Sequence, residues 1–482
     1  MKLCGIDVGT TGVKAAVFSE EGEMLGYGME TYGISFPRPG YAEQDGEVVW
    51  EKAKLALRQA ISQAGGDISA ISVSTQGDAL LLLDKDGHLI APVQLGMDYR
   101  STEQVKQLNE EFGKEWLFEQ TGMPSHPLNF FPKLVWVTQN QPDLFSKTWK
   151  AVTYADFFLI RLSGVAKIDA TMAGRTMAVN LKTGRWDESL LGAVAVEEER
   201  LSEICSSGTA VGTILPQLAD ELGISPKALI VAGGHDQVCA ALGAGVSREG
   251  IGLDSHGTAE VLSTALSVPV LTKEMREAGC PCYPHGVPGK YFTFGLNHTG
   301  GVSLQQFKEL FRYDSYDEFM GSLPDEPVSL LTVPSFVAEE NGVGFGTITG
   351  LTLATTREEI AKSLLEGLGF EMRRFLELFD KAGTPLAELR CVGGGARSSV
   401  GLQLKADIYD RPVSTLHVRE ASCLGAALLA GTAAGVYPSV EDGMERTVRK
   451  ERTYMPDASR AQWYGQRYEA YKALCQALGR SM

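Results

Sequence analysis

Three stretches of this 482-residue chain have residue types and spacings that could do chemistry. In GIDVGTTGVK, residues 5–14, Asp7 precedes a turn of Gly9, Thr10, Thr11 and Gly12, and Lys14 follows it. Successive backbone N–H groups in a glycine-containing turn point into one concavity, so threonine hydroxyls and a lysine beside them suit a phosphate. Asp7 would then hold a metal ion through water. The stretch is neither GxxxxGK[ST] nor the GxGxxG of a dinucleotide fold, because a strand-like alternation follows the turn instead of a helix. A plain hairpin with a buried aspartate is the competing reading.

The second stretch is VAGGHDQVCAALGAG, residues 231–245, where Asp236 follows an apolar strand and two glycines. That places its carboxylate at the carboxyl end of a strand, where open α/β sheets carry their sites. A helix N-cap explains the same aspartate equally well. The third is CVGGGARSS, residues 391–399. Three glycines between a strand and a helix let a flat ring system approach the backbone, although a tight turn accounts for them nearly as well.

The elements that must position these residues are legible as periodicities. Residues 13–18 alternate, an acidic turn follows, and a third strand-like run covers 23–30. Helical spacing begins near Val48, and 68–74 reads as a buried strand. Candidate helices cover 102–110, 131–140 and 156–162, a strand covers 229–234, and an amphipathic helix covers 357–380. A strand is expected at 389–392 and a small-residue helix at 420–436. The last helix carries Tyr464, Tyr468 and Tyr471 at three-and-four spacing, which reads as a docking stripe.

The chain is longer than one hydrophobic core usually supports. GLDSHGT, residues 252–258, echoes GIDVGT at 5–10 with one inserted residue, a weak repeat half a chain away. A boundary near 245–250 is expected, giving domains 1–246 and 247–482. Within the repeat Asp254 mirrors Asp7 but lacks a following Thr-Thr-x-x-Lys, so a structural role is expected.

A formal net charge of -16 argues against nucleic acid and anionic membranes as partners. No run approaches the roughly 20 apolar residues of a membrane helix. Strand-like sequence begins within three residues of the N-terminus, so a cytoplasmic location is expected. Of 8 cysteines only Cys280 and Cys282 lie close together, without a second ligand pair, so reduced thiols are expected and not a zinc site.

Taken together the chain resembles the FGGY carbohydrate kinases, xylulokinase-like, of the actin-like ATPase superfamily, over residues 3–437. The motifs are GIDVGTTGVKAAVF, KLVWVTQN at 133–140, the stretch 345–371, GGGARS at 393–398, KAD at 405–407 and EASCLGAALLAGTAAGVY at 420–437. The resemblance implies an α/β fold of two actin-like (ribonuclease H-like) ATPase domains with a nucleotide and sugar cleft between them. It implies ATP and Mg²⁺, with Asp7 on the metal through water. Gly9, Thr10, Thr11 and Lys14 would form the first phosphate loop and Gly257 and Thr258 the second, with Gly394, Gly395 and Ser398 beside adenosine. Asp236 would be the general base, a role compatible with opening a helix.

For the sugar, the stretch STQGDALLLLDKDG at 74–87 corresponds to substrate-touching residues of the family. Glycerol kinases carry arginine at the Gly77 position, tryptophan at Gly96 and tyrosine near Leu128; none is present here. The expected substrate is a linear ketose, pentulose or hexulose, with Gln76, Asp78, Asp98 and Asp236 as hydroxyl partners. His235 is expected to be held behind Asp236 by backbone. The alternatives are a polyol or glycerol-type kinase, a non-catalytic sugar-responsive regulator on the same fold, and an actin-like filament or chaperone ATPase. An intact Asp7, Lys14 and Asp236 favour catalysis. A homodimer is an admissible assembly.

Overall fold

The computed structural model describes residues 1–336 and 346–480, so Phe345, the first residue of the 345–371 motif, lies outside the described residues. Contacts divide the chain into two compact units. One comprises Met1–Ser247, Ala265–Thr293 and Glu420–Val448, and the other Arg248–Thr264, Phe294–Arg419 and Arg449–Met482.

In the first unit the strands are β1 (Lys2–Val8), β2 (Gly12–Phe18), β3 (Met24–Thr31), β4 (Ile68–Thr75), β5 (Ala210–Thr213) and β6 (Leu229–His235). They form one mixed sheet in the order β5-β6-β4-β1-β2-β3. The two hairpins fold as the alternation predicts: β2 is antiparallel to β1, with Asp7 opposite Lys14, and β3 is antiparallel to β2. β1, β4 and β6 run parallel, which sets Asp7 beside Ser74 and Ser74 beside Gly234. Their carboxyl ends therefore share one edge, and residues 9–11, residues 76–78 and Asp236 leave the sheet there.

Apolar residues on both faces hold that sheet. Helix Gly46–Gln63 starts where the Asp45 side chain accepts from the Glu47 and Val48 amides, and buries Val49, Trp50, Ala53, Leu57 and Ile61. Each large side chain buried this way contributes about 1.5–3 kcal/mol of transfer free energy. Helix Ala421–Ala433 packs on β1, where a side chain at Gly5 would stand 1.9 Å from the Cys423 carbonyl oxygen. Small residues on both elements are what allow that approach.

The second unit is also α/β. Its strands β7 (Ile251–His256), β8 (Glu260–Leu266), β9 (Glu388–Gly393), β10 (Val413–Leu416) and β11 (Lys450–Tyr454) are hydrogen-bonded in the order β8-β7-β9-β10-β11. β7 is antiparallel to β8 and parallel to β9, as β1 is to β2 and β4. The echo between GIDVGT and GLDSHGT is thus one strand-turn-strand arrangement built twice. Helix Arg357–Lys381 begins with a capping box of Thr356 and Glu359. The final helix, Ala458–Ala477, buries Tyr464, Tyr468 and Tyr471, and the Tyr464 hydroxyl donates to Glu366 at 2.9 Å. No helix among the described residues is long and apolar enough to cross a membrane.

Candidate active site

The turn between β1 and β2 closes through a bond from the Gly9 amide to the Gly12 carbonyl, 2.9 Å. Its outward carbonyls are tied down: Tyr32 donates to Gly9 at 2.7 Å and Gln44 to Thr10 at 2.6 Å. Gln76 completes the brace, donating to the Gly9 carbonyl and accepting from the Thr10 hydroxyl, both at 3.2 Å. With these oxygens and the Gly9 amide engaged, the amides of Thr10 and Thr11 and the exposed Thr11 side chain are what the turn can offer a ligand. Lys14 forms an ion pair with Glu420 at 2.7 Å, and both side chains are partly exposed. Burial pulls the Lys14 ammonium down, but Glu420 and Asp7 outweigh it and hold the pKa above its ordinary value.

Asp7 accepts from the Ser74 hydroxyl at 2.8 Å through Oδ1. Burial holds its carboxyl above the usual range, against the lowering effects of Ser74 and Lys14. Among the described residues no cluster of three or more His, Cys, Asp or Glu could hold a metal ion. One half-buried carboxylate suits a magnesium ion that keeps its waters and takes its other ligands from phosphates, so Asp7 fits that group.

Asp236 is the first residue of helix Asp236–Gly243, with His235 in the cap position. It leaves β6 one residue beyond the pair formed by His235 and Thr75. Its Oδ1 is buried without a hydrogen-bond partner. Burial first, and the Asp7 charge second, push its pKa up to about 7. That suits a group that must take a proton near neutrality.

Around Asp236 lie residues that sequence reasoning missed. Arg175 ends helix Ala170–Arg175 and pairs with Asp78 Oδ2. Its guanidinium lies 5.5 Å from the centre of the Tyr283 ring. The Tyr283 hydroxyl is 2.9 Å from His235 Nδ1. These groups occupy the space beside Gly77: a side chain there would stand 2.9 Å from His235 Nε2 and 3.4 Å from Arg175 Nε. Arg175 and Tyr283 come from segments without a glycine-rich or acidic signature, so no sequence signal pointed to them. Glu420 lay at the edge of a recognised motif, but only the fold pairs it with Lys14.

The four residues expected on the sugar divide. Asp78 is buried at φ 67°, and its Oδ1 has no hydrogen-bond partner. It and Asp236 are near enough to raise the latter's pKa. Gln76 spends its amide on the turn between β1 and β2. Asp98 is fully buried: Oδ1 accepts from Arg100 Nε at 2.8 Å, and Oδ2 from Arg100 at 2.7 Å and the Ala42 amide at 2.8 Å. Arg100 also bonds Glu43 and lies 4.0 Å from the centre of the Tyr41 ring. Lys133, the first residue of KLVWVTQN, is buried and donates to the Asp78 carbonyl at 2.8 Å. Burial pulls its pKa down to about 7. A side chain at Gly96 would begin 3.4 Å from the Gly77 carbonyl oxygen, so the missing aromatic wall borders the Gly77–Asp78 turn.

In the second unit a cavity of about 790 Å³ is lined by Gly257, Thr258, Gly394, Gly395 and Ser398, all five residues expected there on ATP. Leu304, Met320, Leu365 and Leu368 give it an apolar wall, and Lys405, Glu260 and His256 also line it. The pairing of β7 with β9 sets His256 beside Gly393, which brings the two loops together. A side chain at Gly395 would stand 1.9 Å from His256 Nδ1. An apolar slot with a glycine wall and a turn of amides suits a nucleoside phosphate.

The fold and these sites describe a phosphotransferase of the sugar-kinase class. The profile of the FGGY family of carbohydrate kinases, N-terminal domain, matches residues 2–243, and that of the C-terminal domain matches residues 340–434. The chain belongs to the FGGY family of carbohydrate kinases and is a sugar kinase. It is 28% identical to the xylulose kinase of Bacillus subtilis, covering 98% of this chain and 96% of that protein. It is 27% identical to the xylulose kinase of Lactococcus lactis, covering 98% and 95%. The structure of a xylulose kinase from Lactobacillus acidophilus superposes with a TM-score of 0.91 over 100% of this chain and 99% of that one, at 24% identity. That likeness shows the shared two-domain α/β fold.

Proposed function

We propose that this kinase transfers the terminal phosphoryl group of Mg-ATP to a hydroxyl of a linear ketose, a pentulose or hexulose, with Asp236 as general base. The observation that carries the reading is Asp78 Oδ1, a carboxylate oxygen buried without a hydrogen-bond partner and near enough to Asp236 to act on its charge. A buried acceptor is costly unless a donor arrives, and a polyhydroxylated substrate brings several. The xylulose kinases among its relatives support a ketose in particular.

Mg²⁺, when bound, neutralises charge on the β- and γ-phosphates. Asp7 would hold it through water. The amides of Thr10 and Thr11 and the Thr11 hydroxyl would bind phosphate oxygens, with Gly9 shaping the turn and Lys14 adding charge. Gly257 and Thr258 would form the second phosphate contact, and Gly394, Gly395 and Ser398 would lie against adenosine. Asp236 accepts the proton of the sugar hydroxyl as that oxygen bonds to phosphorus and the bond to ADP breaks. Phosphoryl transfer has a loose transition state, so positioning supplies most of the rate. Gln76 acts by bracing the phosphate turn and Asp98 by holding Arg100, which leaves Asp78 and Asp236 as the direct hydroxyl partners. A location in the cytoplasm, where ATP is supplied, fits this use.

A panel of pentuloses, hexuloses and polyols in an ADP-release assay tests the reading. The expected result is turnover with at least one ketose well above background ATP hydrolysis. A polyol preferred over every ketose would overturn it.

A further inference from the structure

We infer that Tyr283 and His235 form a positioning relay that orients the Asp236 carboxylate: the Tyr283 hydroxyl donates to His235 Nδ1, and His235 Nε2, which stands beside Asp236 Oδ1, donates to it once substrate is bound. The inference rests on Asp236 being the base. Its geometry is a chain of two contacts, 2.9 Å from Tyr283 Oη to Nδ1 and 3.2 Å from Nε2 to Asp236 Oδ1.

The direction of the protons follows from the surroundings. Burial, with Arg175 nearby, keeps the imidazole neutral, so only one ring nitrogen carries hydrogen. Burial also keeps Tyr283 a phenol, able to donate, and the carboxylate oxygen 3.2 Å from Nε2 can only accept when ionised, which favours hydrogen on Nε2 and a lone pair on Nδ1. A phenol donating to Nδ1 leaves the hydrogen on Nε2. The nitrogen that faces the carboxylate is set by the bond the other nitrogen makes.

Nε2 and Oδ1 are at hydrogen-bonding distance, although Oδ1 makes no aligned bond in this structure. Bonds of this kind often tighten only with substrate present. Once made, the bond occupies Oδ1 and leaves Oδ2 to take the proton from the sugar hydroxyl. The charged and titratable groups around Asp236 are Asp7 from β1, Asp78 after β4, Arg175 from helix Ala170–Arg175, and Tyr283. The Cys239 thiol, on the helix that Asp236 opens, also faces its charge, and Tyr283 contacts His235 at Nδ1.

Gly77 is the permissive element. A larger residue would place its first side-chain carbon 2.9 Å from Nε2 and force the ring to shift, so the histidine at 235 keeps this place only beside a glycine at 77.

The test uses the full chain with ¹⁵N-labelled histidine. The signal of His235 is assigned by its absence in His235→Asn. The expected spectrum shows a neutral ring protonated at Nε2 in the parent, and a mixture of tautomers in Tyr283→Phe. Tyr283→Phe is expected to lower kcat roughly tenfold while KM for MgATP stays within about twofold, as loss of alignment at the base alone would do. Gly77→Ala, which displaces the ring without removing a polar group, should reproduce the loss in kcat. That second variant keeps the inference testable should Tyr283→Phe fold poorly. An Nδ1-protonated ring in the parent, or kcat unchanged in both variants, would overturn the relay. Asp236→Asn, assayed in parallel, separates the two readings: if it stays active, the base assignment falls; if it is inactive while both variants are normal, only the relay falls.

Discussion

Asp7 and Asp254 occupy the same place in two copies of one strand-turn-strand arrangement, yet they have opposite fates. Asp7 is half-buried, bonded to Ser74 alone, and has a lysine seven residues on, directly opposite in the hairpin. Asp254 is fully buried beside Lys405 at 2.7 Å, and Glu260 shares that lysine at 2.5 Å. His256, 3.3 Å from the same ammonium, is driven down to about 3 by burial and by Lys405. One copy keeps a carboxylate available; the other has neutralised it inside the wall of a nucleotide-sized cavity. A duplicated framework fixes where a carboxylate stands, and the partner it is given decides whether it can act on a ligand.

The strongest way to break this contrast lies beside Asp7. Asp236→Asn should lower sugar phosphorylation by about a thousandfold or more while MgATP binding, read by calorimetry, persists. In the parent, kcat/KM should fall as pH drops below about 7, because the carboxyl protonates and cannot accept a proton. The sign for stability is the reverse. A carboxyl whose folded pKa is raised favours the folded state at low pH and loses that contribution as pH rises through about 7. Asp236→Asn should therefore melt no lower than the parent at pH 8.

The two lysines should separate by readout. Lys405→Met strands two buried carboxylates and should destabilise the fold by about 3–5 kcal/mol in denaturant titration. Lys14→Met should change stability by less than about 1 kcal/mol, since its ion pair is partly exposed. Its effect should appear in phosphoryl transfer instead. Should Lys14→Met prove the more destabilising, the contrast is wrong.

Gly395→Ala, which collides with His256, should weaken nucleotide binding roughly tenfold and leave the sugar KM unchanged, measured by fluorescence competition. Glu420→Gln should give the smallest change, a shift of about two- to fivefold in KM for MgATP, because it only releases Lys14 from a partly exposed pair.

Much of the first unit was readable because its signals are local. The alternation of residues 13–18, the run 68–74 and the apolar strand ahead of GGHD each became the strand expected, and in the second unit the tyrosine stripe of the last helix became its buried face. Gln76 and Asp98 show where local reading stopped. Both are polar residues near a substrate-like stretch, and both spend their side chains on other protein groups, a fact set by residues far away in sequence. Arg175 and Tyr283 were invisible for the same reason: their importance lies in reaching one glycine-lined space from two distant segments.

By itself the sequence determined the element types, the three glycine-rich turns and the family, because these depend on spacing within a few residues and on motif order. Only the tertiary structure decided that Lys14 meets Glu420, that Lys405 silences Asp254, and that Arg175 and His235 fill the space beside Gly77. Those pairings join residues up to several hundred positions apart, and their charge state follows from burial, which exists only once the chain has folded.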